Sequence, residues 1–137
     1  MANTTTHFEL VTPEALSRSE PVGMAVLPGV EGDLGVLVQH MPLITQLRPG
    51  VIALHPSLNA PSQQRLFVAG GIAEIDAERC IVLTEEALDL ADIDTVQAQA
   101  RLSEAEAARD AAVGEGELQR ASRELTIAQA LVAALSA

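Results

Sequence analysis

A chain of 137 residues, 48% of them apolar, suits one medium domain or a small domain with an appendage. Its formal charge is −11, with eight basic residues, all arginine, against 19 acidic ones. No basic stripe exists to meet phosphates, so nucleic acid is excluded as a partner. Phe8 and Phe67 are the only aromatics, so the core must be aliphatic. The single cysteine, Cys80, cannot form an internal disulfide and lies in an apolar run, as a small core residue would.

The first residues, Met1 to Thr6, lack the charged and apolar regions of a secretory leader, and none is expected. Short apolar runs follow at His7 to Val11, Gly23 to Leu27, Leu34 to Val38, Leu43 to Leu47, Val51 to His55, Leu66 to Val68, Ile72 to Asp76 and Cys80 to Glu85. Each predicts a strand. Pro28-Gly29, Pro49-Gly50, Asn59 to Ser62, Gly70-Gly71 and Asp76 to Arg79 predict the turns between them. Many short strands at this spacing predict a β-sandwich or barrel.

The chain changes character at Ala91-Asp92. All seven prolines and seven of the nine glycines precede it. Residues 1–91 therefore form the β part and 92–137 a helical part. Asp92 is placed to cap a helix from Ile93 to about Val113, with Asp94 in its first turn. Gly114-Glu115-Gly116 should reverse the chain into a second helix, Glu117 to about Leu135. That helix shows a seam of Leu118, Ala121, Leu125, Ala128, Val132 and Leu135. On the first helix Val96, Ala100, Ser103 and Ala107 share one face. The expectation is an antiparallel helical hairpin with arms of roughly 30 Å. No run reaches the ~20 apolar residues that a membrane span requires.

Catalytic patterns are missing. Without lysine there can be no Gly-x-x-x-x-Gly-Lys phosphate loop. Gly29, Gly32 and Gly35 precede no helix and fit hairpin turns better. No histidine or cysteine spacing suits a metal, and none is expected. His7, His40 and His55 stand apart from one another in sequence. The Glu85-Glu86 pair has no nameable acid or base partner.

Five segments occur in a telling order. Glu31-Gly-Asp-Leu-Gly35 runs into Gln39-His-Met-Pro-Leu-Ile-Thr45 and then Arg48-Pro-Gly50. Further on come Val68-Ala-Gly-Gly-Ile-Ala-Glu74 and Ile81-Val-Leu-Thr-Glu85. With a helical hairpin behind them, they resemble the epsilon subunit of bacterial F-type ATP synthases. That family carries E-G-[ED]-[LF]-G, G-H-x-P-L-[LI]-T, a K/R-P-G turn, S-G-G-x-x-E and a V-x-V-L strand. Gln39 stands where the family has glycine.

The resemblance implies a ten-stranded β-sandwich followed by the helical hairpin, an α+β architecture in two parts. It implies a non-catalytic rotor subunit without cofactors, on the cytoplasmic face of the bacterial inner membrane. Such a subunit couples proton-driven rotation of the c-ring to ATP synthesis in the catalytic head. Its hairpin restrains ATP hydrolysis in many members. Glu31, Gly32, Asp33 and Gly35 match positions that face the c-ring, whose loops commonly carry arginine. His40, Pro42 and Thr45 match positions that face the gamma subunit. The alpha and beta subunits are candidate partners through the hairpin, and the membrane is reached only through the complex. Some members bind a regulatory ATP with an arginine where this chain has Gln97. Asp94, Arg120 and Arg123 remain as candidates for nucleotide or head contacts. A free-standing β-sandwich adaptor and a small hydrolase built on His40 are the alternatives.

Overall fold

The computed structural model describes residues 4–136. The chain divides into two compact units, Met1–Asp89 and Leu90–Ala137, two residues before the expected boundary.

The first unit holds eight strands: β1 (Thr6–Val11), β2 (Leu16–Val22), β3 (Met24–Gly29), β4 (Gly32–Val36), β5 (Leu43–His55), β6 (Gln64–Ile75), β7 (Arg79–Leu83) and β8 (Ala87–Asp89). They pair in the order β2-β1-β7-β6-β5-β3-β4, with β8 also on β6. The pairs are antiparallel except β1 with β7.

Ten strands were implied, and eight are found among the described residues. The difference lies in β5 and β6, which run through positions expected to be turns. Their ladder pairs Leu47 with Gly71 and Pro49 with Ala69, skipping Arg48 and Gly70. Gly70 and Gly71 have φ of 94° and 136°, a region closed to most side chains. There the paired strands bend from one layer into the other instead of reversing. The first half of β5 and the second half of β6 join β7, β1 and β2. The other halves join β3, β4 and β8. Counted twice, the two long strands give the ten segments of a sandwich.

Alternation explains the core. β1 buries every second residue. Phe8, Leu10, Ala73, Ile75, Cys80 and Val82 of one layer form a single cluster with Ala25, Leu27, Val36, Ile52, Leu54, Leu66 and Val68 of the other. Buried Thr84 is satisfied by donating to the Gly70 carbonyl at the bend, 2.6 Å away. The Thr6 hydroxyl, fully buried, has no hydrogen-bond partner among the described residues.

The second unit opens with a 3-10 turn, Leu90–Asp92, then α1 (Thr95–Ala111) and α2 (Glu115–Ser136). The cap is Asp94, not Asp92: its carboxylate accepts from the Val96 amide at 2.9 Å. The 3-10 turn occupies Asp92, so the α-helix starts two residues later than Ile93. Gly114, at φ 85°, turns the chain as expected.

The expected packing face of α1 is corrected. Val96, Ala100, Ser103 and Ala107 are exposed, whereas Ala98 and Ala105 are buried with Leu102 half-buried beside them. Alanines occur on both sides of α1, so periodicity alone has little contrast. Leu102 decides the face by packing with Ala105 against Leu125 and Ala128 of α2. On α2 the seam holds at Leu125 and Ala128, while Leu118 is exposed. Arg101 adds a two-pronged contact to Glu124, Nε to Oε1 at 2.7 Å and Nη2 to Oε2 at 3.2 Å.

Candidate functional site

Two exposed features of the sandwich stand out. One is the tip between β3 and β4. Gly29 pairs with Gly32 across Val30-Glu31, a two-residue hairpin turn. Gly32 has φ of 141° and permits the tight reversal. Glu31 is exposed at the apex. Asp33 is exposed too, but it is engaged: Arg48 Nη2 donates to its Oδ1 at 2.6 Å. The Nη1 of the same guanidinium donates to the Gly29 carbonyl. One side chain of β5 thus holds both arms of the turn. Gly35 is a paired strand residue opposite Val26.

The other feature is an apolar outer face. Along β5 the parity runs Leu43, Thr45, Leu47 inward and Ile44, Gln46 outward. Thr45 pairs with the fully buried Ala73 and is half-buried on the inner row. Ile44 pairs with Glu74, which pairs with Ile81 of β7; Ile72 pairs with Leu83. Met41 is 79% exposed and Ile44 72%, and Ile72 and Leu83 are also exposed. A shallow groove of about 290 Å³ lies here, lined by Pro42, Ile44, Glu74, Asp76, Arg79 and Ile81 among others. Exposed apolar surface, here with Glu74 set between Ile44 and Ile81 and Arg79 at the edge, is what a protein partner covers.

His40 and Pro42 border this face. The His40 Nδ1 donates to the neighbouring Met41 carbonyl at 2.6 Å, shaping the loop. His55 bonds the Ala60 carbonyl at 2.8 Å. The His7 Nε2 meets the Ser19 hydroxyl at 2.8 Å, and Glu9 approaches that same nitrogen at 3.5 Å. A catalytic relay needs the carboxylate on the other ring nitrogen. Burial pushes the Cys80 thiol up to about 12, which keeps it protonated and unreactive. Among the described residues no cluster of acids, histidines and cysteine could hold a metal.

On the hairpin, Asp94 is used as the cap. Arg120 and Arg123 are exposed and make no ion pair among the described residues. Glu124, beside Arg123 and one turn from Arg120, pairs with Arg101 instead.

The tip was marked by its glycines, but the turn expected at Pro28-Gly29 falls at Val30-Glu31, with Pro28 and Gly29 ending β3. The loop after β4 was marked only by the resemblance over Gln39 to Thr45. The outward set of Ile44, Ile72 and Leu83 was not named from sequence, although the parity of Leu43 to Leu47 carries the signal. Arg48's hold on Asp33 joins residues 15 apart and left no local trace.

These features define a β-sandwich followed by a helical hairpin. The family model described as "ATP synthase, Delta/Epsilon chain, beta-sandwich domain" matches residues 5–89. An ATP synthase epsilon chain of Rhodospirillum rubrum is 46% identical over 130 residues, 95% of this chain and 96% of that one. One from Paramagnetospirillum magneticum is 43% identical over 129 residues, 94% and 96% of the two chains. Among solved structures, a chain of the Euglena gracilis mitochondrial ATP synthase, in an assembly with its c-ring, superposes with a TM-score of 0.81. It is 25% identical, and the match covers 98% of this chain and 84% of that chain. A chain from the central stalk and c-ring of the Tetrahymena thermophila enzyme shares the fold, with a TM-score of 0.64 at 11% identity. The chain belongs to the epsilon-chain family of ATP synthases.

Proposed function

We propose that this chain is the non-catalytic rotor subunit that couples c-ring rotation to ATP synthesis in the catalytic head. The observation that carries the reading is the apolar outer face around Met41, Ile44 and Ile81, with Glu74 set between the two isoleucines, Arg79 at its edge, and His40 and Pro42 bordering it. A partner of matching shape gains by covering it, at about 25 cal/mol for each Å² of apolar surface. The gamma subunit is that partner. Pro42 and Ile44 supply the contact and His40 fixes the loop, while inward-facing Thr45 supports the strand from beneath. The β3–β4 tip, Glu31 to Gly35, meets the polar loops of the c-ring. Among the described residues no helix is long and apolar enough to cross a membrane, and in this reading the membrane is reached through the ring. The working position is the cytoplasmic face of the bacterial inner membrane.

The test is reconstitution. ATP synthase stripped of this subunit should regain proton-driven synthesis when the full chain is added, and isolated gamma should be retained by it. Ile44→Asp should abolish both while leaving the fold intact by circular dichroism. Unchanged gamma binding by that variant would move the docking face elsewhere.

A further inference from the structure

We propose that the β3–β4 tip offers Glu31, not Asp33, to a cationic partner, and that Arg48 is the positioning residue that sets this choice. The inference rests on the functional reading above, in which the tip meets arginine-bearing loops of the ring.

The tip carries two carboxylates two residues apart, and they are not equivalent. Asp33 receives a charge-assisted hydrogen bond from Arg48, which sets a cation directly against its carboxylate. The same guanidinium binds the Gly29 carbonyl, so it grips β3 just before the turn and β4 just after it. Between those two points the chain makes only the turn Val30-Glu31. Glu31 is exposed at the apex and has no ion pair among the described residues. For Asp33 to meet an incoming arginine, it would have to share or release Arg48, and the two guanidinium groups would repel. Glu31 meets the same arginine with no exchange. Three charges are therefore arranged as one neutral clamp and one free anion.

The arrangement predicts a definite order of behaviour. Glu31→Gln removes the free anion and leaves the clamp. Asp33→Asn with Arg48→Gln removes the clamp and leaves the free anion, with the net charge of the tip unchanged. Arg48→Gln alone releases Asp33 and adds one negative charge.

The experiment titrates stripped ATP synthase with the full-length chain and these variants, at low and high salt. Glu31→Gln should bind about tenfold more weakly at low salt and lose most of its salt dependence. The double variant should stay within about threefold of wild type and keep that dependence. Arg48→Gln should bind at least as tightly as wild type at low salt, with a steeper decline on adding salt. A purely structural Arg48 would instead weaken binding equally at all salt levels, and that result overturns the positioning role. If Glu31→Gln binds like wild type while the double variant is impaired, Asp33 is the contact and the proposal fails. A wild-type chain that does not bind at all overturns the functional reading itself.

Discussion

Gln39 has φ of 64°, the left-handed region that glycine enters freely and other side chains enter at a cost of roughly 1 kcal/mol. Its amide is committed to the Ala77 carbonyl at 2.7 Å, which ties the loop after β4 to the β6–β7 turn. The backbone is thus fixed by a long-range bond, and the side chain has to tolerate it. Gln39→Gly should raise stability in urea unfolding by about 0.5 kcal/mol, the strain relief less the added freedom of the unfolded chain. Gln39→Val should lower it by more than that. Next to Ala77, the acceptor of that bond, lies Asp76. Its carboxyl is held below the ordinary aspartate value by the backbone amides of Glu78 and then Arg79, at 2.8 and 2.9 Å. Because the folded value is the lower one, this stabilisation is complete above the unfolded value. It fades as the pH falls through the folded one. Asp76→Asn should therefore flatten the loss of stability below about pH 4, read as a shallower slope of unfolding free energy against pH. The resemblance to family glycine marked Gln39 in the sequence, but its strain became visible only with the backbone angle.

At the scale of elements, two strands escaped the sequence reading for different reasons. β2 reads Leu-Ser-Arg-Ser-Glu-Pro-Val, too polar for a buried run, and it survives because it is an edge strand with a single neighbour. An edge also tolerates Pro21, whose nitrogen has no hydrogen to give. β8 has three residues, all half-buried, below the length at which a pattern can be recognised. Arg18 secures both edges from β2. It donates to Gln64 of β6 at 2.5 Å and to Asp89 of β8 at 3.1 Å. The split into strands and helices was legible because proline stops before Asp92. The packing face of α1 was not, because alanine marks both sides of it. That correction is testable. Ala105→Leu should overpack the seam against Leu125 and Ala128 at a cost of about 1–3 kcal/mol. Ala107→Leu should stay within about 0.5 kcal/mol. Amide exchange at Leu125 and Ala128 separates the two; equal effects would contradict the observed face.

For the whole molecule, the core of the sandwich is drawn entirely from residues before Asp89. A chain ending at Ala91 should fold with a cooperative transition, bind gamma and restore proton-driven synthesis. On α2 the only cations are Arg120 and Arg123, and nothing from Thr126 onward carries a charged side chain. An extended hairpin therefore has little electrostatic preference over a folded one, and only a difference in affinity shifts such an equilibrium. Truncation should raise ATP hydrolysis by less than about tenfold, or roughly 1.4 kcal/mol of restraint. A much larger rise in a purified-enzyme assay would refute this. The bent strands have a mechanical consequence. β5, of 13 residues, and β6, of 12, belong to both layers and stay paired along nearly their full length. Twisting one layer against the other must strain two covalent backbones and the ladder between them, not merely slide one greasy surface over another. In the proposed role, gripped on one face and driven at another, the sandwich would turn as one stiff piece for that reason, with its torsional rigidity carried by peptide bonds.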